Sequence, residues 1–157
     1  MADVERIYRM LQPMRVCLIT SRHKGKDNVI AASWVFPLSM DPPLFGVSIS
    51  PKRFSHGIIE KGKAFGINLP GPELTAAVLV CGRKTGKDAD KFAEAGLTKE
   101  EGEKVPLIRE CSASIECEVV DSFETGDHIV FVGKAINVVK RFESKGLYHK
   151  DESMVPI

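Results

Sequence analysis

A short segment rich in cations and glycine, residues 81–88, is the first place where this sequence could bind a ligand. It reads Cys81-Gly82-Arg83-Lys84-Thr85-Gly86-Lys87-Asp88, so two glycines and three cations precede a helix that we expect to begin near Asp88. Cations and free backbone N–H groups in this arrangement favour a phosphate. The segment is not a P-loop, because its spacing is one residue short and no Ser or Thr follows the lysine. A solvated turn is the competing interpretation.

A second segment, Pro51-Lys52-Arg53-Phe54-Ser55-His56, again places cations and a hydroxyl ahead of a predicted helix. Ser55 is a suitable N-cap for that helix. Capping and phosphate binding are compatible, since a capped helix start still presents N–H groups to an anion.

Alternation in two predicted strands leaves one face of each with small or polar side chains, Gly46, Ser48 and Ser50 in one and Gly66 and Asn68 in the other. A third predicted strand carries the small residues Ala31, Ala32 and Ser33. A planar aromatic ligand needs such a surface, because its rings require close backbone approach and its polar edge requires hydrogen bonds. The alternative is that the small residues face solvent or a closely packed helix.

The elements that must position these residues are mainly strands. Runs rich in Val, Ile, Phe or Cys predict strands at 15–20, 29–35, 44–50, 64–69, 114–120 and 128–139. Short helices are predicted at 4–11, 55–60, 72–80 and 88–95, and residues 98–104 are expected to form a solvated loop or helix end. We therefore expect one mostly antiparallel β-barrel domain over residues 1–157, with peripheral helices.

Composition narrows the class of protein. The 157 residues include 22 Lys and Arg against 21 Asp and Glu, so nothing favours nucleic acid as a partner. No apolar run approaches the roughly 20 residues that cross a membrane, and the N-terminus does not resemble a signal peptide, so we expect a cytoplasmic protein. The four cysteines (Cys17, Cys81, Cys111 and Cys117) lack C-x-x-C spacing and are expected to be reduced and mostly buried, and no metal site is predicted.

A set of short segments follows in a fixed order along nearly the whole chain. These segments include Asn-Val-Ile-Ala-Ala-Ser-Trp at 28–34, Asp-Pro-Pro-Leu-Phe-Gly-Val-Ser-Ile at 41–49, Arg-Phe-Ser-His at 53–56, Phe-Gly-Ile-Asn-Leu-Pro at 65–70, Asp-Lys-Phe at 90–92 and Gly-Asp-His-Ile at 126–129. Together they resemble the flavin reductase-like family of FMN-binding split barrels. This family includes flavoredoxins, archaeal ferric reductases and the reductase components of two-component monooxygenases.

The resemblance implies a six-stranded Greek-key split barrel, usually a homodimer, with FMN in a groove near the subunit interface. By matching position, the isoalloxazine would contact Ala32, Ser33, Trp34, Ser48, Ile49 and Ser50, and the phosphate would contact Arg53, Ser55 and the loop at 82–87. The full set of expected cofactor-binding residues adds Asn68, Cys81, Gly82, Lys84 and Lys87. For Trp34, simple filling of the core is the alternative.

The implied activity is transfer of electrons from NADH or NADPH through bound flavin to free flavin, a ferric chelate or a redox partner protein. Backbone N–H groups at Ser33 and along 48–50 are expected to hold the pyrimidine edge of the ring. His128 is the one catalytic candidate, with a structural role at a strand start as its alternative. Because there is no G-x-G-x-x-G fingerprint, the nicotinamide donor would bind only transiently over the flavin. A flavoredoxin-type carrier that does not use NAD(P)H directly, and a non-enzymatic flavin- or haem-binding module, are the other hypotheses.

Overall fold

A computed structural model describes the chain from residue 4 to residue 157. It opens with a 3-10 helix at Val4–Leu11. The strands of this range are β1 (Met14–Arg15), β2 (Cys17–His23), β3 (Lys26–Ala32), β4 (Val35–Ser39), β5 (Leu44–Ile49), β6 (Ala64–Leu69), β7 (Lys99–Glu101), β8 (Pro106–Ile108), β9 (Ala113–Thr125), β10 (His128–Lys140), β11 (Leu147–Lys150) and β12 (Ser153–Pro156). The α-helices are α1 (Phe54–Gly62), α2 (Thr75–Arg83) and α3 (Lys91–Ala95), and a 3-10 turn at Pro72–Leu74 precedes α2.

The strands form one large antiparallel sheet with two small additions. The order in the large sheet is β3-β2-β6-β9-β10-β5-β4, while β1-β11-β12 and β7-β8 form separate sheets. The expected mostly β, split-barrel class is confirmed. Seven strands occupy the large sheet instead of six, because the predicted strand at 29–35 divides at Ser33 and Trp34 into β3 and β4. This break opens the sheet at the small residues that end β3.

Strand β2 is buried on both faces and therefore separates two hydrophobic clusters. Leu18 packs with Val78, Phe92 and other residues under α2 and α3. Its neighbour Ile19 points to the opposite face and packs with the barrel interior around Phe65. Helix α2 is thus held against the β3 side of the sheet, close to the break after Ala32.

Two of the predicted small faces are covered by protein. The ring of Phe36 lies where a side chain at Gly46 would be, and Thr20 and Leu107 occupy the space beside Gly66. The small face of β6 is therefore an interior surface, and the prediction of a ligand surface there is wrong. On β5, the covering by Phe36 leaves Ser48 and Ser50 as the residues that can meet a ligand.

Several local predictions need correction. Residues 98–104 contain β7, which is tied to the barrel by an ion pair between Glu101 and Arg22 at 2.8 Å, so this segment is not merely a solvated loop. The helix expected near Asp88 begins at Lys91, because the side chain of Asp90 accepts a hydrogen bond from the N–H of Ala93 and caps it.

The four cysteines are buried free thiols, as predicted. Within residues 4–157, no helix has the length and apolar character needed to cross a membrane.

Candidate functional site

A cleft of about 480 Å³ opens where the sheet breaks after β3, and we call it the main cleft. The pairing of Val130 with Ser48 brings the start of β10 beside the end of β5, so His128 lies near Ser50. The cleft is lined by Ile30, Ala31, Ala32, Ser33, Trp34, Ser48, Ile49, Ser50, Lys52, Arg53 and His128. The structure therefore brings together most of the residues that were predicted to contact a planar ligand.

Aromatic side chains form one wall of the main cleft. The rings of Trp34 and His128 have centroids 4.6 Å apart and are tilted by 36°, and Tyr8 meets Trp34 edge-on at 5.3 Å. Trp34 is half-buried and lines the cleft, so it does not simply fill the core. The wall offers a flat, partly exposed surface on which another ring can stack.

His128 is held from two sides. Its Nδ1 lies 2.7 Å from a carboxylate oxygen of Asp127, and its ring rests on Trp34. The hydrogen bond with His128 lowers the pKa of the exposed Asp127 carboxyl, and an ionised Asp127 accepts this bond from Nδ1. Nε2 is then the nitrogen available to a ligand in the cleft.

A smaller space of about 120 Å³, the cationic pocket, adjoins the main cleft and shares Ile30, Lys52 and Arg53 with it. Five of its lining residues are cations, namely Lys52, Arg53, Arg83, Lys84 and Lys91. No lining residue is an aspartate or a glutamate. The remaining lining includes Phe54, Ser55, Cys81, Gly82 and Thr85. Such a concentration of positive charge matches a phosphate group.

Lys91 is one of the residues of this pocket that were not predicted as site residues. Only 4% of it is exposed, and its ammonium group donates to the carbonyl of Cys81 at 3.0 Å. Burial lowers the pKa of Lys91, and the charge of Arg53 lowers it further. No carboxylate of residues 4–157 forms an ion pair with Lys91, so a bound anion would offset the cost of burying this charge. The sequence feature that could have placed Lys91 is Asp90, which caps α3 and so makes Lys91 the first residue of that helix.

The first turn of α1 also forms part of the cationic pocket. The helix begins at Phe54, and its N-cap Arg53 makes no side-chain capping hydrogen bond. The prediction that Ser55 caps the helix is wrong, because Ser55 is already inside the first turn, where its buried hydroxyl accepts from the amide of Asn28 at 2.6 Å. The N–H groups of this turn therefore have no side-chain cap, which is favourable for an anion.

The segment at 81–87 is less loop-like than predicted. Cys81, Gly82 and Arg83 form the last turn of α2, and burial raises the pKa of the Cys81 thiol to about 11, so the neutral thiol does not contribute charge. Lys84 lines the cationic pocket while pairing with Glu94 at 2.6 Å. Lys87 is exposed and belongs to the lining of neither space.

Asn68 was predicted to bind the cofactor, but it lines neither the main cleft nor the cationic pocket. It is fully buried, its amide donates to the carbonyl of Leu18 at 2.9 Å, and its side-chain oxygen accepts from Ile108 and Ser114. The residue joins its own strand β6 to β2, β8 and β9, and the structure does not bring it to the main cleft. The backbone contacts expected from β5 are also reduced, because the N–H of Ser48 donates to the carbonyl of Trp34 at 3.0 Å.

A third space, the side pocket, completes the arrangement and was not anticipated from the sequence. It has a volume of about 290 Å³ and shares Ala31, Ala32 and Ser33 with the main cleft and Gly82 and Arg83 with the cationic pocket. His149, Glu152 and Met154 of the C-terminal hairpin form its outer wall. These residues lie more than 100 positions from β3 in sequence, so no local pattern could have connected them.

Comparison with known proteins shows the family to which this chain is similar. Residues 9–157 match the family described as "Flavin reductase like domain". An uncharacterized protein of Pyrococcus abyssi is 44% identical over 129 residues, covering 82% of this chain and 75% of that protein. The ferric-chelate reductase (NAD(P)H) of Archaeoglobus fulgidus is 26% identical, covering 95% of this chain and 88% of that protein.

A solved structure extends the similarity to three dimensions. The FMN-binding protein from Thermus thermophilus with bound 1-cyclohex-2-enone superposes with a TM-score of 0.86 at 28% identity, covering 95% of this chain and 89% of that one. With the family model matching nearly its whole length, this chain belongs to the flavin reductase-like domain family.

Proposed function

We propose that this protein binds FMN, with the isoalloxazine ring in the main cleft and the phosphate in the cationic pocket. The observation that carries the proposal is the buried ammonium of Lys91 beside Arg53, in a carboxylate-free pocket that adjoins a cleft with an aromatic wall. A ligand that joins a planar ring to a phosphate satisfies both spaces at once. Membership of the family and similarity to a solved FMN-binding protein support the same ligand.

Each part of the site has a distinct task in this proposal. Arg53, Lys91 and the first-turn N–H groups of α1 hold the phosphate through charge-assisted hydrogen bonds. Trp34 and the hydroxyls of Ser48 and Ser50 border the ring. His128 orients a second molecule against the ring through Nε2. Bound FMN supplies the ability to accept a hydride and to pass electrons onward, which none of these side chains has.

The activity that we propose is NAD(P)H-dependent reduction of flavin or ferric iron in the cytoplasm, with free flavin, a ferric chelate or a redox partner protein as the electron acceptor. The relative from Archaeoglobus fulgidus, named as a ferric-chelate reductase (NAD(P)H), supports this class of reaction. The partial exposure of the Trp34 and His128 wall also supports it, because a donor can then reach the ring.

The experiment that tests the proposal has two stages. Purified protein is first titrated with FMN while the fluorescence of Trp34, the sole tryptophan, is recorded, and saturable quenching is expected. The complex is then mixed with NADH or NADPH without oxygen, and loss of the flavin absorbance is expected. Binding without loss of absorbance would indicate an electron carrier of the flavoredoxin type, and no binding would refute the proposed function.

A further inference from the structure

A second cationic space lies apart from the flavin site, and we call it the Arg141 cleft. It has a volume of about 420 Å³ and lies where β6 and β10 end and β9 begins. Arg15, Lys140 and Arg141 line it, against the single carboxylate of Glu143, which leaves two net positive charges. It shares no lining residue with the main cleft or the cationic pocket.

The guanidinium of Arg141 is fixed in place but incompletely paired. Its Nη1 donates to the carbonyl of Cys111 at 3.1 Å and to the hydroxyl of Ser114 at 3.0 Å, and its Nε lies 3.4 Å from Glu100. Its Nη2 is buried without a partner, and so is the Nε of Arg15. Buried N–H groups are nearly always paired, and these two have no acceptor within the described protein, so each can donate a further hydrogen bond.

The cleft also offers an aromatic surface. Phe142, which directly follows Arg141, lines the cleft and is 49% exposed, although a phenylalanine is usually buried. Ser112 and Ser144 supply hydroxyls. Cations beside an exposed aromatic ring and hydroxyls are the groups that recognise a phosphate, a base and a sugar.

We infer that the Arg141 cleft binds a nucleotide, with the phosphate on Arg15, Lys140 and Arg141 and the base stacked on Phe142. A phosphate monoester carries a charge of about −1.5 to −2 at neutral pH, which matches the net charge of the lining. The inference does not depend on flavin binding. The nucleotide is either free or the adenylate half of a nicotinamide dinucleotide, and Arg15 also borders an apolar groove that reaches Trp34.

The test is calorimetric titration with AMP as the probe. The protein is first saturated with FMN so that the cationic pocket is already filled. If FMN does not bind, the titration is repeated with flavin-free Lys91→Met protein. We expect saturable binding of AMP and much weaker binding of adenosine, which has no phosphate.

Variants locate the site. Lys140 is exposed and makes no ion pair among residues 4–157, so Lys140→Glu should leave the fold intact. This variant should weaken AMP binding by about tenfold or more, the scale of one charge-assisted hydrogen bond. Phe142→Ala should weaken AMP by about fivefold or more through loss of stacking. Lys145→Glu is the matched control, because Lys145 is an exposed cation of the same segment outside the lining, and AMP affinity should stay within about twofold of wild type.

Several results would overturn the inference: no saturable binding of AMP, equal binding of adenosine, or equal losses in Lys140→Glu and Lys145→Glu. Competition between AMP and NADPH in the reductase assay identifies the dinucleotide as the source of the nucleotide. AMP binding without that competition identifies a free nucleotide. Both outcomes support the cleft as a nucleotide site and leave the flavin proposal to its own test.

Discussion

Lys91 is the residue on which the proposed phosphate site depends most. Lys91 is 96% buried, lies beside Arg53 and has no carboxylate partner among the described residues, so burying its charge costs free energy. A bound anion would offset that cost. Its functional atom is placed by two local features, the Asp90 cap and the contact with the Cys81 carbonyl. The free protein therefore contains a positive charge that is ready for a phosphate.

The lowered pKa of Lys91 predicts a pH dependence of FMN affinity. A bound phosphate favours the charged ammonium, so FMN should bind the protonated form more tightly, and affinity should fall as alkaline pH passes through the pKa of Lys91. Lys91→Met should bind FMN more weakly and lose this dependence. Lys87→Ala, an exposed neighbour outside the pocket, should keep it. A wild-type affinity that stays flat into the alkaline range would contradict this role for Lys91.

His128 belongs to the same scale and to a separate prediction. Its ring is fixed by Asp127 and Trp34, so His128→Ala should slow reduction by NAD(P)H by roughly ten- to a hundredfold, the scale of one or two lost hydrogen bonds. FMN affinity and thermal stability should change little. Stopped-flow absorbance measures the rate, and His23→Ala, at the far end of β2, is the control. A variant that unfolds early but reduces flavin at the normal rate would make His128 a packing residue.

At the scale of elements, the buried carboxylate of Glu116 on β9 organises the turn between β7 and β8. It accepts the backbone N–H groups of Glu103, Lys104 and Val105 at 2.6 to 3.0 Å. The β7–β8 hairpin in turn covers Gly66 and closes the inner face of β6. One acidic residue thus positions a whole hairpin.

Replacing Glu116 tests this arrangement. Glu116→Ala should lower the free energy of unfolding by about 3 kcal/mol or more, because hydrogen bonds to a charged group are worth about 1.5 to 3 kcal/mol each. Glu118→Ala removes a partly exposed carboxylate that pairs with Lys104, and it should cost less than about 1 kcal/mol. Urea denaturation measures both variants. Equal losses of unfolding free energy in the two variants would mean that the hydrogen bonds of Glu116 stabilise the protein no more than the surface ion pair of Glu118.

The elements also show how far the sequence could predict this molecule. Strand β6 is found at the predicted residues 64–69, because its Phe, Ile and Leu alternate with small residues and turn formers flank it. The hairpin β11–β12 was missed, since Tyr148 to Pro156 is short and polar and is held by pairing with β1, a long-range contact. The buried state of Lys91 was equally invisible, because burial depends on how α2 and α3 pack. Alternation gives the face of a strand but not what covers that face. It therefore placed Ser48 and Ser50, which line the main cleft, together with Asn68, which is buried under other strands.

On the scale of the whole molecule, the protein exposes apolar side chains that a partner would cover. Met10 is 81% exposed, Leu11 77% and Met40 94%. Tyr8, Leu11 and Trp34 also border an apolar groove of about 530 Å³ that shares Ser33, Trp34 and Ser48 with the main cleft. We propose that a second copy of the chain covers this groove and completes the proposed flavin site in a symmetric homodimer, the assembly that the family resemblance implies.

Sedimentation tests the homodimer. Wild type should sediment as a dimer, and Leu11→Glu should shift it toward monomer and weaken FMN, because a buried unpaired charge opposes association. Lys24→Glu, in the exposed β2–β3 turn, should leave the dimer intact. A wild-type monomer that keeps full FMN affinity on dilution would refute the proposal.

The most direct test of the account compares FMN with riboflavin, which has the same ring but no phosphate. Both are titrated into wild type and into Arg53→Ala by quenching of Trp34 fluorescence, with Lys87→Ala as the control. Wild type should prefer FMN. Arg53→Ala should weaken FMN binding by roughly ten- to a hundredfold, because charge-assisted hydrogen bonds are worth about 1.5 to 3 kcal/mol, while riboflavin binding should change little. Equal affinity of wild type for the two flavins, or equal losses for both in Arg53→Ala, would contradict the assignment of the cationic pocket to the phosphate.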